Sequence, residues 1–144
     1  MKLSTRTRYG VRAMLELAKH QTKGPLQLKV IASRQGISVK YLEQLIAVLK
    51  AAGLVKSVRG AKGGYALAKP ASQIKLSDCF ITLEGPVITA ECVKDESYCR
   101  RIVDCAVRDV WVKVQEAVMD ILGSITLKDL VNRPEETRTP DYQI

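Results

Sequence analysis

Three cysteines stand within a fifteen-residue stretch that is polar and charged, where a hydrophobic core would not place them. The stretch reads ECVKDESYCRRIVDC, and its thiols belong to Cys92, Cys99 and Cys105. Their C-x6-C-x5-C spacing lacks the closely spaced cysteine pair that most structural zinc sites contain. Iron–sulfur sites accept thiolates from loops of more varied spacing. The residues therefore favour a metal or cluster site, although a Cys92–Cys99 redox pair or incidental free thiols also fit them.

The expected compartment decides how these cysteines are interpreted. The 144 residues contain no apolar run near the ~20 residues that span a bilayer, and the basic start MKLSTRTRYG lacks the apolar region of a signal peptide. We therefore expect a cytoplasmic protein, in which thiols stay reduced and clustered cysteines bind metal or respond to redox conditions. Cys79, inside the apolar run LSDCFITL, is expected to pack as a small hydrophobic residue.

Positive charge is concentrated in the first half of the chain. Residues 1–75 carry 15 Lys and Arg but only two acids, Glu16 and Glu43, whereas residues 76–144 carry 8 Lys and Arg and 13 acids. This footprint is typical of a polyanion-binding domain. No stretch combines a basic face with a Trp or Phe face, which argues against a membrane surface. The sequence also lacks catalytic triads, P-loops and dinucleotide fingerprints, so we do not expect an enzyme.

Apolar periodicity predicts the order helix, helix, helix, hairpin in the basic half. The predicted elements are helices over 9–21, 28–35 and 39–52 and strands over 54–58 and 65–68. Gly36 is expected to end the second helix, and Ser38 to cap the third. This is the order of a winged helix-turn-helix. The predicted fold class is therefore mainly α with a small β-hairpin, followed by a long dimerisation helix.

The long helix is predicted over 101–122, after a linker helix over 75–83 and an irregular stretch over 87–100. Its first apolar stripe follows heptad spacing and contains Val103, Val107, Val110, Val114, Ala117 and Ile121. Its second stripe contains Ile102, Trp111, Val118 and Leu122. If one stripe docks on the winged domain, the other needs a partner, and a second copy would make a homodimer. The alternative is that both stripes pack on the same small domain.

The chain is accordingly divided into four predicted parts. These are a winged helix-turn-helix DNA-binding domain (1–75), a linker helix with the cysteine loop (76–100), a dimerisation helix with a terminal helix (101–131), and a flexible tail (132–144). Ser124 is the expected N-cap of the terminal helix. The tail is polar and contains two prolines, which is typical of a chain end without fixed structure.

The third helix is predicted to be the recognition helix, because the second helix of a helix-turn-helix lies in the major groove. Its candidate DNA-contacting residues lie opposite the leucine stripe and are Ser38, Lys40, Tyr41, Glu43 and Gln44. Gln44 can pair with adenine, and Glu43 can accept a hydrogen bond from cytosine. Because an acid weakens binding near phosphates, Glu43 is expected either to contact a base or to pair with Lys40 or Lys50. Tyr41 suits packing against the turn equally well.

The hairpin tip and the chain start supply further candidate contacts. The tip RGAKGG carries Arg59 and Lys62 among three glycines. Glycine at positions such as Gly63 allows close approach of the main chain, and arginine fits a narrow minor groove. We therefore predict a DNA-contacting wing, with an ordinary solvated turn as the alternative. Ser4, Thr5 and Arg8 are expected to contact phosphates, which sets the register on the duplex.

Long stretches of the chain resemble the winged-helix iron–sulfur regulator family. These are KLSTRTRYGVRAML, IASRQGISVKYLEQLIAVLKAAGLVKSVRGAKGGYALAKP and ITLKDLV, and the similarity extends to about residue 132 with YLEQL and VRGAKGGY as its most specific motifs. The family includes a regulator of iron–sulfur cluster assembly, a nitric-oxide-sensing repressor and a cysteine metabolism repressor. The resemblance implies a homodimeric transcription factor that binds a pseudo-palindromic operator. It also implies that Glu43 discriminates between operator types and that Arg59 enters the minor groove.

The resemblance further implies a bound iron–sulfur cluster. The iron–sulfur members carry cysteines at the positions of Cys92, Cys99 and Cys105, whereas the cysteine metabolism repressor lacks them. A [2Fe–2S] cluster is favoured over a [4Fe–4S] cluster. By this resemblance the chain senses iron–sulfur, redox or nitric oxide status.

The fourth ligand departs from the family pattern. Arg108 replaces the histidine that is the fourth ligand in the assembly regulator, and Arg8 replaces the acid that other members borrow from the partner's first helix. Neither side chain can ligate iron. The remaining candidates are Asp104, Glu91, Asp109 or a ligand from outside the protein. The one histidine, His20, is better explained as a plain surface residue.

The chain ends in DYQI, which suggests an alternative function. A terminal isoleucine after an acidic, aromatic stretch resembles the tail by which serine acetyltransferase inserts into cysteine synthase, and the cysteine metabolism repressor ends similarly. Tyr142 and Ile144 are therefore candidate contacts for cysteine synthase, although a disordered tail is the simpler explanation. This alternative is a cluster-free regulator of cysteine and sulfur metabolism.

Overall fold

Residues 2–134 are described by a computed structural model of the protein. This part of the chain forms seven α-helices and one antiparallel hairpin. The elements are α1 (Thr5–Lys19), α2 (Leu28–Gln35), α3 (Val39–Ala51), β1 (Val55–Val58), β2 (Gly64–Leu67), α4 (Leu76–Glu84), α5 (Glu91–Lys94), α6 (Ala106–Ser124) and α7 (Leu127–Val131). Short 3₁₀ turns lie at Gln21–Lys23, Ala71–Gln73 and Ile102–Asp104. The predicted fold class is confirmed.

The turn between α2 and α3 is built from the two residues that the sequence singles out. Gly36 ends α2 in the left-handed conformation, with φ of 65°, which costs glycine little because it has no Cβ. Ser38 then caps α3, because its Oγ accepts a hydrogen bond from the amide of Tyr41 at 3.1 Å. This short connection fixes α3 relative to α2, as a helix-turn-helix requires.

The hydrophobic core surrounds α1, which contacts α2, α3, α4, α7 and β2. The largest fully buried side chains come from both ends of the sequence and are Met14, Leu17, Ile31, Leu42, Ile46, Leu49, Ile74, Cys79 and Leu127. The winged unit and the C-terminal α7 therefore share one core. Burial of Cys79 confirms its predicted place. It raises the pKa of that thiol to about 12, with the charge of Asp78 adding to the effect.

The hairpin is extended by a third short pairing. Val55 lies opposite Leu67 and Val58 opposite Gly64 in the antiparallel register. An isolated bridge joins Leu26 to Tyr65, with amide-to-carbonyl distances of 2.9 Å in both directions. Because the segment between α1 and α2 pairs with β2 in this way, the hairpin is held against the helical core.

The structure corrects three predicted helix boundaries. α1 begins at Thr5 instead of residue 9, because Ser4 supplies an N-cap there. α6 begins at Ala106 instead of residue 101, because the main chain at Cys105 is extended and residues 102–104 form a 3₁₀ turn. Ser124 is the last residue of α6, and the cap of α7 is Thr126, whose Oγ accepts from the amide of Asp129 at 3.2 Å.

Candidate nucleic-acid interface and cysteine segment

α3 separates a fully buried apolar stripe from an exposed polar face. Leu42, Leu45, Ile46 and Leu49 are buried as predicted. Lys40, Glu43 and Gln44 are exposed on the opposite side, while the Ser38 hydroxyl is used as the cap. This face offers a cation, a carboxylate and an amide, which together can donate to and accept from base edges.

Glu43 has no ion-pair partner in the part of the chain that the structure describes. Neither Lys40 nor Lys50 comes within ion-pair distance of it, and the ion pairs found among residues 2–134 join other side chains. Of the two roles expected for this acid, pairing with a neighbouring lysine is therefore not the one seen. An exposed carboxylate on a basic surface remains available to accept a hydrogen bond.

Tyr41 packs on α1. Its ring meets that of Tyr9 edge to face, with 6.4 Å between centroids and an interplanar angle of 86°. The guanidinium of Arg12 lies 5.8 Å from the Tyr9 centroid. Offset and edge-on arrangements are the favoured aromatic geometries, and a cation over a ring face adds attraction. Tyr41 thus ties the first turn of α3 to α1.

The tip between β1 and β2 exposes Arg59 and Lys62. Gly63 is buried beneath it, and a Cβ there would collide with the main-chain oxygen of Val58. A Cβ on Gly64, whose φ is 147°, would lie 2.5 Å from the oxygen of Leu26. These two glycines are therefore required for closing the hairpin. The two cations project from a turn whose shape is fixed by backbone packing.

Glu84, the last residue of α4, holds the first turn of α1, although no pattern in the sequence predicts this contact. Ser4 donates to Glu84 Oε2 from its hydroxyl at 2.6 Å and from its amide at 3.3 Å, and the hydroxyl of buried Thr7 also donates to Glu84 Oε2. These hydrogen bonds lower the pKa of Glu84, with a smaller contribution from the charge of Arg6. Ser4 is thus a cap with its donors in use, while Thr5 and Arg8 remain exposed.

The three clustered cysteines lie on three different elements. Cys92 is in α5, Cys99 follows it in the loop, and Cys105 is the N-cap residue of α6. All three are free thiols and half-buried. The candidate fourth ligands near them in the sequence are exposed, namely Glu91, Asp104 and Asp109. His20 lies elsewhere, and its Nδ1 is 2.8 Å from the main-chain oxygen of Gly24.

Arg108, in the first turn of α6, contacts the cysteine segment (residues 91–105). Its Nε donates to the main-chain oxygen of Cys92 at 3.1 Å, and its terminal nitrogen lies 3.5 Å from Glu96 Oε1. The side chain is only 19% exposed. Arg108 therefore braces α5 against α6.

The cysteines do not form a preassembled metal site. Among residues 2–134, no three His, Cys, Asp or Glu side chains are grouped closely enough to hold a metal ion. The donor chemistry nevertheless suits an iron–sulfur cluster, because three accessible thiols share one segment and thiolates are the usual cluster ligands. Cys79 is not part of this group of thiols, because it packs inside the hydrophobic core.

The two apolar stripes of α6 differ in their surroundings only toward the end of the helix, because Trp111 of the second stripe is 42% exposed, as is Val114 of the first. Val118 and Leu122 line a cavity of about 380 Å³ between α1, α4 and α6, whose other walls include Val11, Leu76 and Phe80. Residues of the heptad stripe face away from the chain and are exposed, namely Val103, Val107, Val110, Val114 and Ile121. The alternative in which both stripes pack on the same domain is therefore not what is seen. No helix of the described residues is long and apolar enough to cross a membrane.

The predicted partner contacts at the chain end, Tyr142 and Ile144, lie outside the described residues.

Comparison with known proteins agrees with this architecture. Residues 3–133 match the Rrf2 family, described as iron-dependent transcriptional regulators. The chain is 44% identical to the HTH-type transcriptional regulator CymR of Bacillus subtilis over 132 residues, which are 92% of this chain and 91% of CymR. The structure of that CymR, called the global cysteine regulator, superposes with a TM-score of 0.79 at 43% identity, covering 91% of this chain and 96% of CymR.

A solved structure of T. potens IscR is similar to the same degree. It has a TM-score of 0.78 at 45% identity and covers 96% of this chain and 92% of its own. A match over nearly the whole chain, at such identity and with the same winged architecture, establishes the family. The chain therefore belongs to the Rrf2 family of DNA-binding transcriptional regulators and is a regulator, not an enzyme.

Proposed function

We propose that this regulator reads double-stranded DNA with the exposed face of α3. The observation that carries the proposal is that Lys40, Glu43 and Gln44 are exposed directly opposite a fully buried apolar stripe. Gln44 pairs with adenine in the major groove, and Glu43 accepts from cytosine N4 and penalises other bases. Lys40 contributes attraction to the phosphate backbone.

The β1–β2 turn and the first turn of α1 complete the interface. Arg59 enters the minor groove beside the major-groove site, because the hairpin tip is fixed in shape and arginine suits a narrow groove. Lys62, Thr5 and Arg8 contact phosphates, which adds affinity and register but no sequence information. The excess of basic over acidic residues in the first 75 positions supports such an interface.

A second copy of the chain completes the functional unit. The exposed stripe of Val107, Val110, Val114 and Ile121 on α6 has no cover within the described residues, and apolar heptad stripes associate with their like. A two-fold dimer presents two α3 helices to a pseudo-palindromic operator, whose half-sites are separated by about one helical turn.

Cys92, Cys99 and Cys105 are the proposed ligands of an iron–sulfur cluster, with the [2Fe–2S] type favoured. When bound, the cluster supplies a redox-active and labile centre that responds to iron–sulfur, redox or nitric oxide status. The protein's part is to hold the segment: Arg108 braces α5 against α6, and Cys105 lies directly at the start of the proposed dimer helix. A change in this segment would alter the spacing of the two α3 helices and hence operator preference.

The experiment for the cluster is anaerobic purification with iron and sulfide counting and visible absorption. The wild type is predicted to contain iron and sulfide, and the Cys92→Ala/Cys99→Ala/Cys105→Ala variant to contain neither. Both are then used to select duplexes from a randomised pool under anaerobic conditions. Selection of the same operators by both proteins would contradict the proposed sensing role.

A cluster-free regulator of cysteine metabolism is the second candidate. It is favoured by the 44% identity to CymR of Bacillus subtilis, a protein described as a global cysteine regulator. In this case the C-terminal tail, with Tyr142 and Ile144, would engage cysteine synthase. Binding of purified cysteine synthase that survives high salt and is lost on deletion of Ile144 would support this candidate, and unchanged binding would exclude the tail.

A further inference from the structure

The first turn of α1 is electrostatically unfavourable as a helix start. It contains Arg6 and Arg8 and no acidic residue, although the N-terminus of a helix carries partial positive charge and favours anions. Ser4 offsets part of this problem by accepting the amide of Thr7 at 3.2 Å. The sequence of α1 itself offers no counter-charge at this end.

Glu84 supplies that counter-charge from the end of α4, 80 residues away. A single carboxylate oxygen accepts from the Ser4 amide, the Ser4 hydroxyl and the Thr7 hydroxyl. Thr7 is only 2% exposed, whereas Glu84 is itself exposed, so the carboxylate covers the buried Thr7 hydroxyl from the surface. Thr5 and Arg8, which the proposed function assigns to phosphates, are exposed in this same turn.

The two helices approach closely beside this contact. Gly10 is buried, and a Cβ there would collide with the side chain of buried Leu83. The hydrogen bonds of Glu84 therefore stand at the end of a tight helix–helix contact, so the carboxylate is aimed at the α1 terminus by packing.

From this geometry we infer that Glu84 is a positioning residue for DNA binding: its carboxylate holds the first turn of α1 so that Thr5 and Arg8 face the phosphate backbone. The inference rests on the proposed DNA interface. An acid this close to phosphates would by charge alone weaken binding. If Glu84 acts by positioning, removal of its side chain should weaken DNA binding. If it acts only through its charge, removal should strengthen DNA binding.

Two substitutions separate these effects. Glu84→Gln keeps an oxygen that can accept from Ser4 and Thr7 but removes the charge, whereas Glu84→Ala removes both. Glu116→Ala is the matched control, because Glu116 is an exposed acid on the charged face of α6. Thermal unfolding of each variant reports whether the fold is retained.

The test measures affinity for a duplex selected from a random pool by the wild type, as a function of salt. We expect Glu84→Ala to weaken binding about three- to tenfold, which is what releasing a capped turn would cost, and to flatten the salt dependence because phosphate contacts are lost. Glu84→Gln should bind at least as tightly as the wild type, and Glu116→Ala should keep the wild-type salt dependence.

Amide hydrogen exchange at Thr7 and Arg8 measures local opening of the first turn of α1 in the absence of DNA. The exchange rate should increase in the Glu84→Ala variant only. Tighter binding by both Glu84 variants would overturn the inference, because charge alone would then explain the effect. Unchanged affinity with a lower melting temperature would also overturn it, by leaving a purely structural role. If Glu84→Ala weakens DNA binding but Arg59→Ala does not, the proposed DNA contact of the β1–β2 turn is wrong, while the positioning role of Glu84 is supported. A wild type without salt-dependent DNA binding would overturn both.

Discussion

The guanidinium of Arg108 donates to the main-chain oxygen of Cys92 at 3.1 Å, so the first turn of α6 is joined to α5 across the cysteine segment. We predict that Arg108→Ala frees α5, because this bond and the contact to Glu96 are the side-chain links from α6 to that segment that the structure records. Proteolysis within residues 91–105 should accelerate, while global stability falls by only about 1 kcal/mol. Arg108→Lys, which keeps the charge, is the control. Equal proteolysis rates of the wild type, Arg108→Ala and Arg108→Lys would contradict a role of Arg108 in holding α5 against α6.

Arg108→His should lengthen the lifetime of a bound cluster. Residue 108 is three positions after Cys105, and residues at this spacing lie on the same side of a helix, so an imidazole there is placed toward the same centre as the Cys105 thiol. Loss of visible absorption in air is the measurement. The Arg108→His variant should lose its visible absorption more slowly than the Arg108→Ala variant. Both variants lack the hydrogen bond from Arg108 to Cys92, so the loss of that bond does not account for the difference. The same rate for both would mean that residue 108 does not reach the cluster.

Cys79 should be the one described thiol that resists alkylation in the native state. Its burial raises its pKa to about 12, whereas Cys92, Cys99 and Cys105 are half-buried, and the thiolate is the reactive form. Iodoacetamide at pH 8 should modify three thiols in the native cluster-free protein and four after unfolding. Modification of all four in the native protein at the same rate would contradict the buried position.

The same thiol predicts a loss of stability at alkaline pH. Its native pKa lies above its unfolded value, so its contribution is complete below the unfolded pKa and is lost as pH rises toward about 12. Cys79→Ala should reduce this alkaline loss relative to the wild type, as followed by denaturant unfolding across pH 8 to 11. An identical pH dependence of the two proteins would show that another group is responsible.

Gly10 and Leu83 should show strong energetic coupling. A Cβ on Gly10 would collide with the Leu83 side chain, and overpacking of this kind costs about 1–3 kcal/mol. In a Leu83→Ala background the collision disappears, and Gly10→Ala should then stabilise α1 by up to about 1 kcal/mol through helix propensity. Denaturant unfolding of the wild type, the two single variants and the double variant gives the coupling free energy of a double-mutant cycle. Additive effects would mean that the helices move apart freely.

Local signals in the sequence predicted the winged part of the fold well. Apolar spacing identified the buried stripe of α3, and Gly36 and Ser38 marked the turn before it. These features depend on residues close in sequence, which is why composition and periodicity reveal them. The exposed face of α3 follows from the same periodicity, so its candidate residues could be named in advance.

Features set by distant contacts were not predictable. Ile102 and Val103 continue the apolar pattern of α6, yet the main chain is extended at Cys105 and the helix begins at Ala106, five residues after the predicted start. Ser124 and Thr126 are both acceptable caps, and the choice follows from a bridge between Lys75 and Thr126. Glu84 carries no local sign of its contact with Ser4, because that contact exists only once α4 packs on α1.

In the proposed function, the exposed face of α3 and the β1–β2 turn bind DNA. The most direct test is the affinity of Arg59→Ala and Gln44→Ala for a duplex selected by the wild type, with Lys128→Ala on α7 as a charge-matched control. Each interface variant should lose about 1–3 kcal/mol of binding free energy, and Gln44→Ala should also relax the choice of base. Lys128→Ala should bind like the wild type. Equal losses in all three variants, or none, would contradict the claim.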